Sequence, residues 1–195
     1  MGAAEKLEKK RFTVEEYLEF EKNSDARYEF YQGDVFAMAG TTRNHNRIAK
    51  KISRLLDDAF ESKGCETVLE SIKLEAIINH YYPYPDVMLL CDPNDNDEYI
   101  ARRPSLIVEV LSQSTMDYDR TFKFRRYRAV PTLLYYVMVS QYEPFVEVYE
   151  KQEHSQQWLY SAYEKMEDLI HFERLGFQLS LVDVYQNIVF SKKND

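Results

Sequence analysis

The spacing of apolar positions changes several times along the chain, and each spacing predicts a different element. In RFTVEEYLEFEK, Thr13 followed three residues later by Glu16 has the form of a capping box and predicts a helix from about Val14 to Lys22. YEFYQGDVFAMAG reads as two short strands around Gln32-Gly33, where glycine supplies the positive φ of a tight turn. HNRIAKKISRLLDDAFESKG then places Ile48, Ile52, Leu55, Leu56 and Phe60 on one helical face and stops at Gly64. Beyond it the period falls to two. CETVLESIKLEAII, YPDVMLL and SLIVEVL are strand candidates, interrupted by the turn-rich CDPNDNDEYIARRP. Ser114 or Thr115 can cap a helix from about Met116 to Ala129, which Val130-Pro131 ends. LLYYVMV, FVEVYE and WLYSAYE continue as strands, and LIHFERLGFQLSLVDVYQN closes with a strand and a short helix. This order predicts an α/β (α+β) fold, a mixed sheet flanked by helices with extra strands near the carboxyl end. A chain of 195 residues fits one domain spanning 1–195.

Composition narrows the class. With 45% hydrophobic and 30% charged residues the chain can bury a core, and it is neither disordered nor fibrous in character. Its longest apolar run, Leu133 to Val139, is far short of the roughly 20 residues a membrane helix needs, so no membrane association is expected. The amino end, MGAAEKLEKKR, is charged and without the apolar segment of a secretory signal, which makes the cytoplasm the expected compartment. Cys65 and Cys91 have no CxxC spacing and are expected as free buried thiols. The net charge of −8 argues against generic coating of nucleic acid. Two acid-free segments run against that sum: RNHNRIAKKISR, with Arg43, Arg47, Lys50, Lys51 and Arg54, and RTFKFRRYR, with Arg120, Lys123, Arg125, Arg126 and Arg128. Each reads either as a solvated helix face or as a grip on an anionic ligand.

The residue that changes the picture is Glu109. In SLIVEVL it stands among Leu106, Ile107, Val108, Val110 and Leu111, the residues of a strand buried on both faces. A carboxylate there must be paired, protonated or bound to a metal, because an unpartnered buried charge costs several kcal/mol or more. Alternation puts Glu109 on the face of Ile107 and Leu111. Asp86, which Pro85 holds at the start of the preceding apolar strand, is the best partner. Two carboxylates on neighbouring strands suit Mg²⁺, which takes one or two protein carboxylates and keeps waters for a phosphate substrate. Lys123, in the helix that follows, can add a cation to orient water or offset developing charge.

Those residues resemble a known family. PDV, LIVEVLSQST and D-R-x-x-K-x-x-x-Y, together with the hairpin YEFYQGDVFAMAG, are similar to the Uma family of restriction endonucleases in the PD-(D/E)XK superfamily, over about Phe12 to Glu150. The resemblance implies a restriction-endonuclease-like fold and Mg²⁺- or Mn²⁺-dependent hydrolysis of DNA. It implies Asp86 and Glu109 as metal-binding acids, Lys123 as the catalytic lysine and Glu29 as a further acid of the site. His45, at a helix start, would contact phosphate or hydrogen-bond a site carboxylate. Arg43, Arg47, Arg120, Arg125 and Arg126 would grip the DNA backbone, and a homodimer is expected for cutting both strands. Three departures stand out. Leu111 occupies the position, two after the second acid, where the common motif has lysine; Lys123 fits a lysine migrated to the next helix. Gln113 replaces the usual proline, and AVPTLLYYVMVSQ replaces a GVPEYWLVDP-like segment.

Two other functions fit the same residues: a nucleic-acid-binding module that keeps the fold without cutting, and an oligomeric scaffold that uses the tyrosine-rich carboxy-terminal strands. His80, His154 and His171 lack zinc-site spacing, and Ser112 and Ser114 lack a nucleophile-elbow setting.

Overall fold

A computed structural model describes residues 11–38 and 40–190. The amino-terminal residues that underlie the cytoplasmic expectation lie largely outside this range. Helix α1 (Val14–Lys22) has the capping box in full: the Thr13 side chain accepts from the Glu16 N–H, and the Glu16 carboxylate accepts from the Thr13 N–H. Strands β1 (Tyr28–Tyr31) and β2 (Asp34–Ala37) form the hairpin, with Tyr31 opposite Asp34. Its turn holds both Gln32 (φ 48°) and Gly33 (φ 90°) in the left-handed region, as a two-residue hairpin loop whose twist matches the strands requires. Helix α2 (Arg43–Phe60) follows. Its apolar face (Ile48, Ile52, Leu56 and Phe60) is buried, and Gly64 at φ 77° ends the turn that succeeds it.

Next come β3 (Glu66–Leu69), β4 (Lys73–Leu74), β5 (Tyr81–Tyr82), β6 (Val87–Leu90), β7 (Ile100–Ala101) and the eight-residue β8 (Pro104–Leu111). A helical run from α3 (Met116–Tyr118) through a π-helical turn (Asp119–Lys123) to α4 (Phe124–Tyr127) leads into β9 (Tyr135–Ser140). The chain finishes with β10 (Val146–Lys151), β11 (Trp158–Tyr163), β12 (Leu169–Phe172), β13 (Phe177–Ser180) and α5 (Leu181–Tyr185).

The main sheet has the order β11-β10-β9-β8-β6-β3. All its pairings are antiparallel except β8 with β9, which are parallel and joined by the Met116–Tyr127 helical run. Smaller sheets are β2-β1-β5, β4 with β7, and β12 with β13. The central strands are buried on both faces, as their near-continuous apolar runs require. One face packs Val87, Leu106, Val108 and Val110 against α2, α5 and β12–β13; the other packs Ile107, Leu111, Tyr136 and Met138 against the Met116–Tyr127 run. Each fully buried aliphatic side chain in these layers contributes about 1.5–3 kcal/mol. A third core, Tyr17, Phe30, Val35 and Tyr82, holds α1 on the small sheet.

The structure corrects the sequence reading at several points. Cys65 and Cys91 are joined in a disulfide rather than free. Glu66 pairs with Leu90 across β3 and β6, so the two cysteines face each other one step further along the same ladder. No N-cap side-chain bond comes from Ser114 or Thr115; Ser112 Oγ accepts from the Thr115 N–H at 3.2 Å, and the Ser112 carbonyl accepts from the Met116 N–H at 2.9 Å. The CETVLESIKLEAII segment is broken into β3 and β4, and the final strand-and-helix segment holds a hairpin, β12–β13, before α5. Among the described residues no helix is long and apolar enough to cross a membrane.

Candidate active site

One row of side chains across the main sheet organises the site. Val87 pairs with Val108 at the start of β6, and one step further the same register sets Asp86 across from Glu109. Glu109 pairs with Met138 on β9, and Met138 with Glu147 on β10. The helical run lies over this row and is pinned to it by two cations. Lys123 Nζ donates to Glu109 Oε1 at 2.9 Å, and Arg120 donates to Glu147 Oε2 at 2.8 and 2.6 Å. The Tyr127 hydroxyl also donates to Glu109 Oε1, at 2.7 Å. The carboxylate in the apolar strand is therefore held by a lysine and a tyrosine.

The π-helical turn decides which side chains reach the row. It brings Asp119 and Lys123 inward together, 2% and 8% exposed, with Lys123 Nζ 3.4 Å from Asp119 Oδ1. Widened turns of this kind recur at functional sites because they re-aim side chains without ending the helix. Glu29 arrives from the small sheet. Phe30 is in the core under α1, so alternation turns Glu29 the other way, and its Oε1 lies 3.8 Å from Lys123 Nζ.

Asp86 is held from three sides. Its Oδ2 accepts from the Val110 N–H at 2.6 Å and lies 3.1 Å from His45 Nε2, while its carbonyl accepts from the Glu70 N–H. Pro83 and Pro85 flank Tyr84, whose N–H donates to Glu29 at 3.4 Å and whose hydroxyl donates to buried Glu21 at 2.6 Å. Lys73 pairs with the other Glu21 oxygen at 2.5 Å. His45 is placed by the N-cap of α2: Thr42 accepts its N–H, and the Thr42 hydroxyl donates to Gln141, whose amide in turn donates to the Leu111 carbonyl at the end of β8.

Three carboxylates, Glu29, Glu109 and Asp119, thus surround one ammonium, and Asp86, held by His45 and the Val110 N–H, stands across the ladder from Glu109. Burial pushes the Glu109, Glu29 and Asp119 carboxyls above the usual range, with Lys123 pulling each back and the Asp86 charge adding to the rise. Burial lowers the Lys123 ammonium, but Glu109, Asp119 and Glu29 together carry it well above its ordinary value. The hydrogen bond to Asp86 raises His45 against the opposing effect of burial. Such a surplus of buried carboxyl groups over cations, with hard oxygen donors, is suited to a hard divalent cation that displaces their protons. Asp119 Oδ1 is buried without a hydrogen-bond partner. Among the described residues no three His, Cys, Asp or Glu side chains form a group that could hold a metal, so Asp86 and Glu109 are the set to consider, and two carboxylates suffice for Mg²⁺.

Of the sequence candidates, Asp86, Glu109, Lys123, Glu29 and His45 come together. The arginines do not. Arg43 and Arg47 are exposed on α2, and Arg125 is exposed on α4. Arg120 is engaged by Glu147, and Arg126 donates to the Tyr31 hydroxyl at 2.6 Å. Sequence reasoning left out Asp119 and Tyr127 as site residues, although both stand in the D-R-x-x-K-x-x-x-Y pattern at four-residue spacing from Lys123.

The profile of the family Uma2, described as "Putative restriction endonuclease", matches residues 14–182. The chain belongs to the Uma2 family. Two Synechocystis proteins, both named as uncharacterised, are similar in sequence to this Uma2 member. One (slr1290) is 31% identical over 182 residues, 92% of this chain and 94% of its own; the other (sll1609) is 36% identical over 153 residues, 77% and 86%. A crystal structure titled as a putative nuclease belonging to DUF820, from Anabaena variabilis, superposes with a TM-score of 0.73 at 14% identity, covering 91% of this chain and 99% of that one. At that identity the likeness establishes the fold, a mixed sheet flanked by helices.

Proposed function

We propose that this protein is a Mg²⁺-dependent DNA endonuclease, with Mn²⁺ as a substitute ion. The observation that carries the reading is the 2.9 Å contact of Lys123 with Glu109, made where Asp86 stands opposite on the neighbouring strand. Family membership supports a nucleic-acid substrate.

Asp86 and Glu109 would hold the ion. When bound, it lowers the pKa of a water and offsets charge on the phosphoryl oxygens. The rest falls to the protein. Lys123 supplies a fixed positive charge beside the attacking water and the developing charge at phosphorus, worth the most in a dry setting such as this. Glu29 and Asp119 keep that ammonium charged and aimed. His45 and the Val110 N–H orient the Asp86 carboxylate, as partners behind a metal ligand commonly do. Exposed Arg43, Arg47 and Arg125 are the candidates for backbone contact, and cutting both strands of a duplex calls for two copies of the chain.

Supercoiled plasmid incubated with Mg²⁺ or Mn²⁺ tests this. The wild type should nick it, and Glu109→Gln and Lys123→Ala should lose on the order of 10²-fold or more of the rate, the usual consequence of removing a charge-stabilising group. Melting curves would check that both variants fold. Variants that fold and keep full metal-dependent cleavage would overturn the mechanism. Binding with strong salt dependence and no turnover with any divalent ion would point instead to a binding module.

A further inference from the structure

Tyr118, Phe122 and Arg126 recur at four-residue intervals along the helical run and form a ladder. The Tyr118 and Phe122 rings are stacked, centroids 4.7 Å apart and planes within 14°. The Arg126 guanidinium lies over the Phe122 ring at 4.7 Å and over Tyr31 at 5.3 Å. Phe122 is further fixed by edge contacts with Tyr31 and buried Tyr81, at 4.9 and 5.6 Å. The ladder is thus rigid at its Arg126 end and in the middle. Its Tyr118 end is different: that residue is 37% exposed.

Position makes this exposure informative. Tyr118 immediately precedes Asp119, and its turn leads into the π-helical segment that carries Lys123. Burial and then the Glu29 charge push its hydroxyl upward, so the side chain borders the same acids. An aromatic ring whose neighbours are already stacked loses little freedom on accepting one more flat partner. Base–aromatic stacking is tolerant of sequence, because every base has a π-face.

We infer that Tyr118 is a base-stacking residue, which receives a nucleobase of the DNA strand next to the phosphate held at the acid cluster, as the next layer of the Tyr118–Phe122–Arg126 ladder. This rests on the nuclease reading above and names one of its substrate contacts. It also means that the strand is engaged with at least one base unstacked from its neighbour, so single-stranded or locally opened DNA is bound in preference to intact duplex.

The test is the binding of a single-stranded oligonucleotide carrying 2-aminopurine, whose fluorescence falls on stacking, to wild type, Tyr118→Phe and Tyr118→Ala in buffer with Ca²⁺, a hard cation that takes oxygen ligands as Mg²⁺ does. Wild type and Tyr118→Phe should quench the probe and bind alike, since the ring face and not the hydroxyl is used. Tyr118→Ala should lose the quench and bind roughly 5- to 150-fold more weakly. Equal binding and quench by Tyr118→Ala would overturn the stacking role and leave the nuclease reading standing. No binding by the wild type would overturn both. Melting curves would show that the substitution of this half-exposed side chain leaves the fold in place.

Discussion

Lys123 is one ammonium among three acids, and that imbalance sets how each responds to pH. Asp119 has a folded-state pKa above its ordinary value, so the folded protein holds the proton more tightly than the unfolded chain does. Its ionisation therefore subtracts stability as pH rises from the ordinary carboxylate range through the raised value. Below that range the penalty is absent. In metal-free buffer Asp119→Asn should accordingly melt higher than the wild type at pH 8, with the gap closing as pH falls toward about 4. Thermal melts across that range check it; a gap that widened on acidification would show that Asp119 is favoured as the anion. Little of this was legible in the sequence. Glu109 stood out because one acid in an apolar strand violates the pattern around it, whereas Asp119 sits in a polar stretch where an acid is unremarked. Its burial comes from the tertiary contact of the helix with the sheet.

At the scale of elements, the ladder between β6 and β8 and the π-helical turn do most to assemble the site. The ladder was readable from period two: alternation alone put Glu109 with Ile107 and Leu111, and the structure has all three on the face under the Met116–Tyr127 run. The turn was not readable. Period and end signals defined a helix over this stretch, but they cannot register one residue too many for an α-helical turn. Deleting exposed Thr121 removes that extra residue while leaving every buried side chain present. The deletion should keep the far-UV circular dichroism near wild type and abolish plasmid nicking, because Asp119 and Lys123 would no longer reach the row together. Retained nicking would show that the widened turn is incidental. The disulfide was missed for a related reason: the pairing of Cys65 with Cys91 follows from the β3–β6 register, which spacing alone does not reveal.

Across the whole molecule, the mixed sheet and its flanking helices were legible because long elements carry strong periodicity. The short strands β4, β5 and β7 have two residues each and no periodicity to read. The arginines expected on DNA divide in the structure according to their neighbours, with Arg120 taken by a buried acid and Arg43, Arg47 and Arg125 left exposed. A chain of net charge −8 with a buried acid cluster would repel DNA unless a cation entered first, which makes metal binding the step on which the account depends. The most direct measurement is a calorimetric titration of the metal-free protein with Mn²⁺ at neutral pH, repeated in two buffers of different ionisation heat. Saturable binding with net proton release is predicted, since the raised carboxyls fall when the ion arrives, and Glu109→Gln should lose it. Heats no larger than dilution, equal in both buffers and in the variant, would contradict the claim that these acids are a metal site.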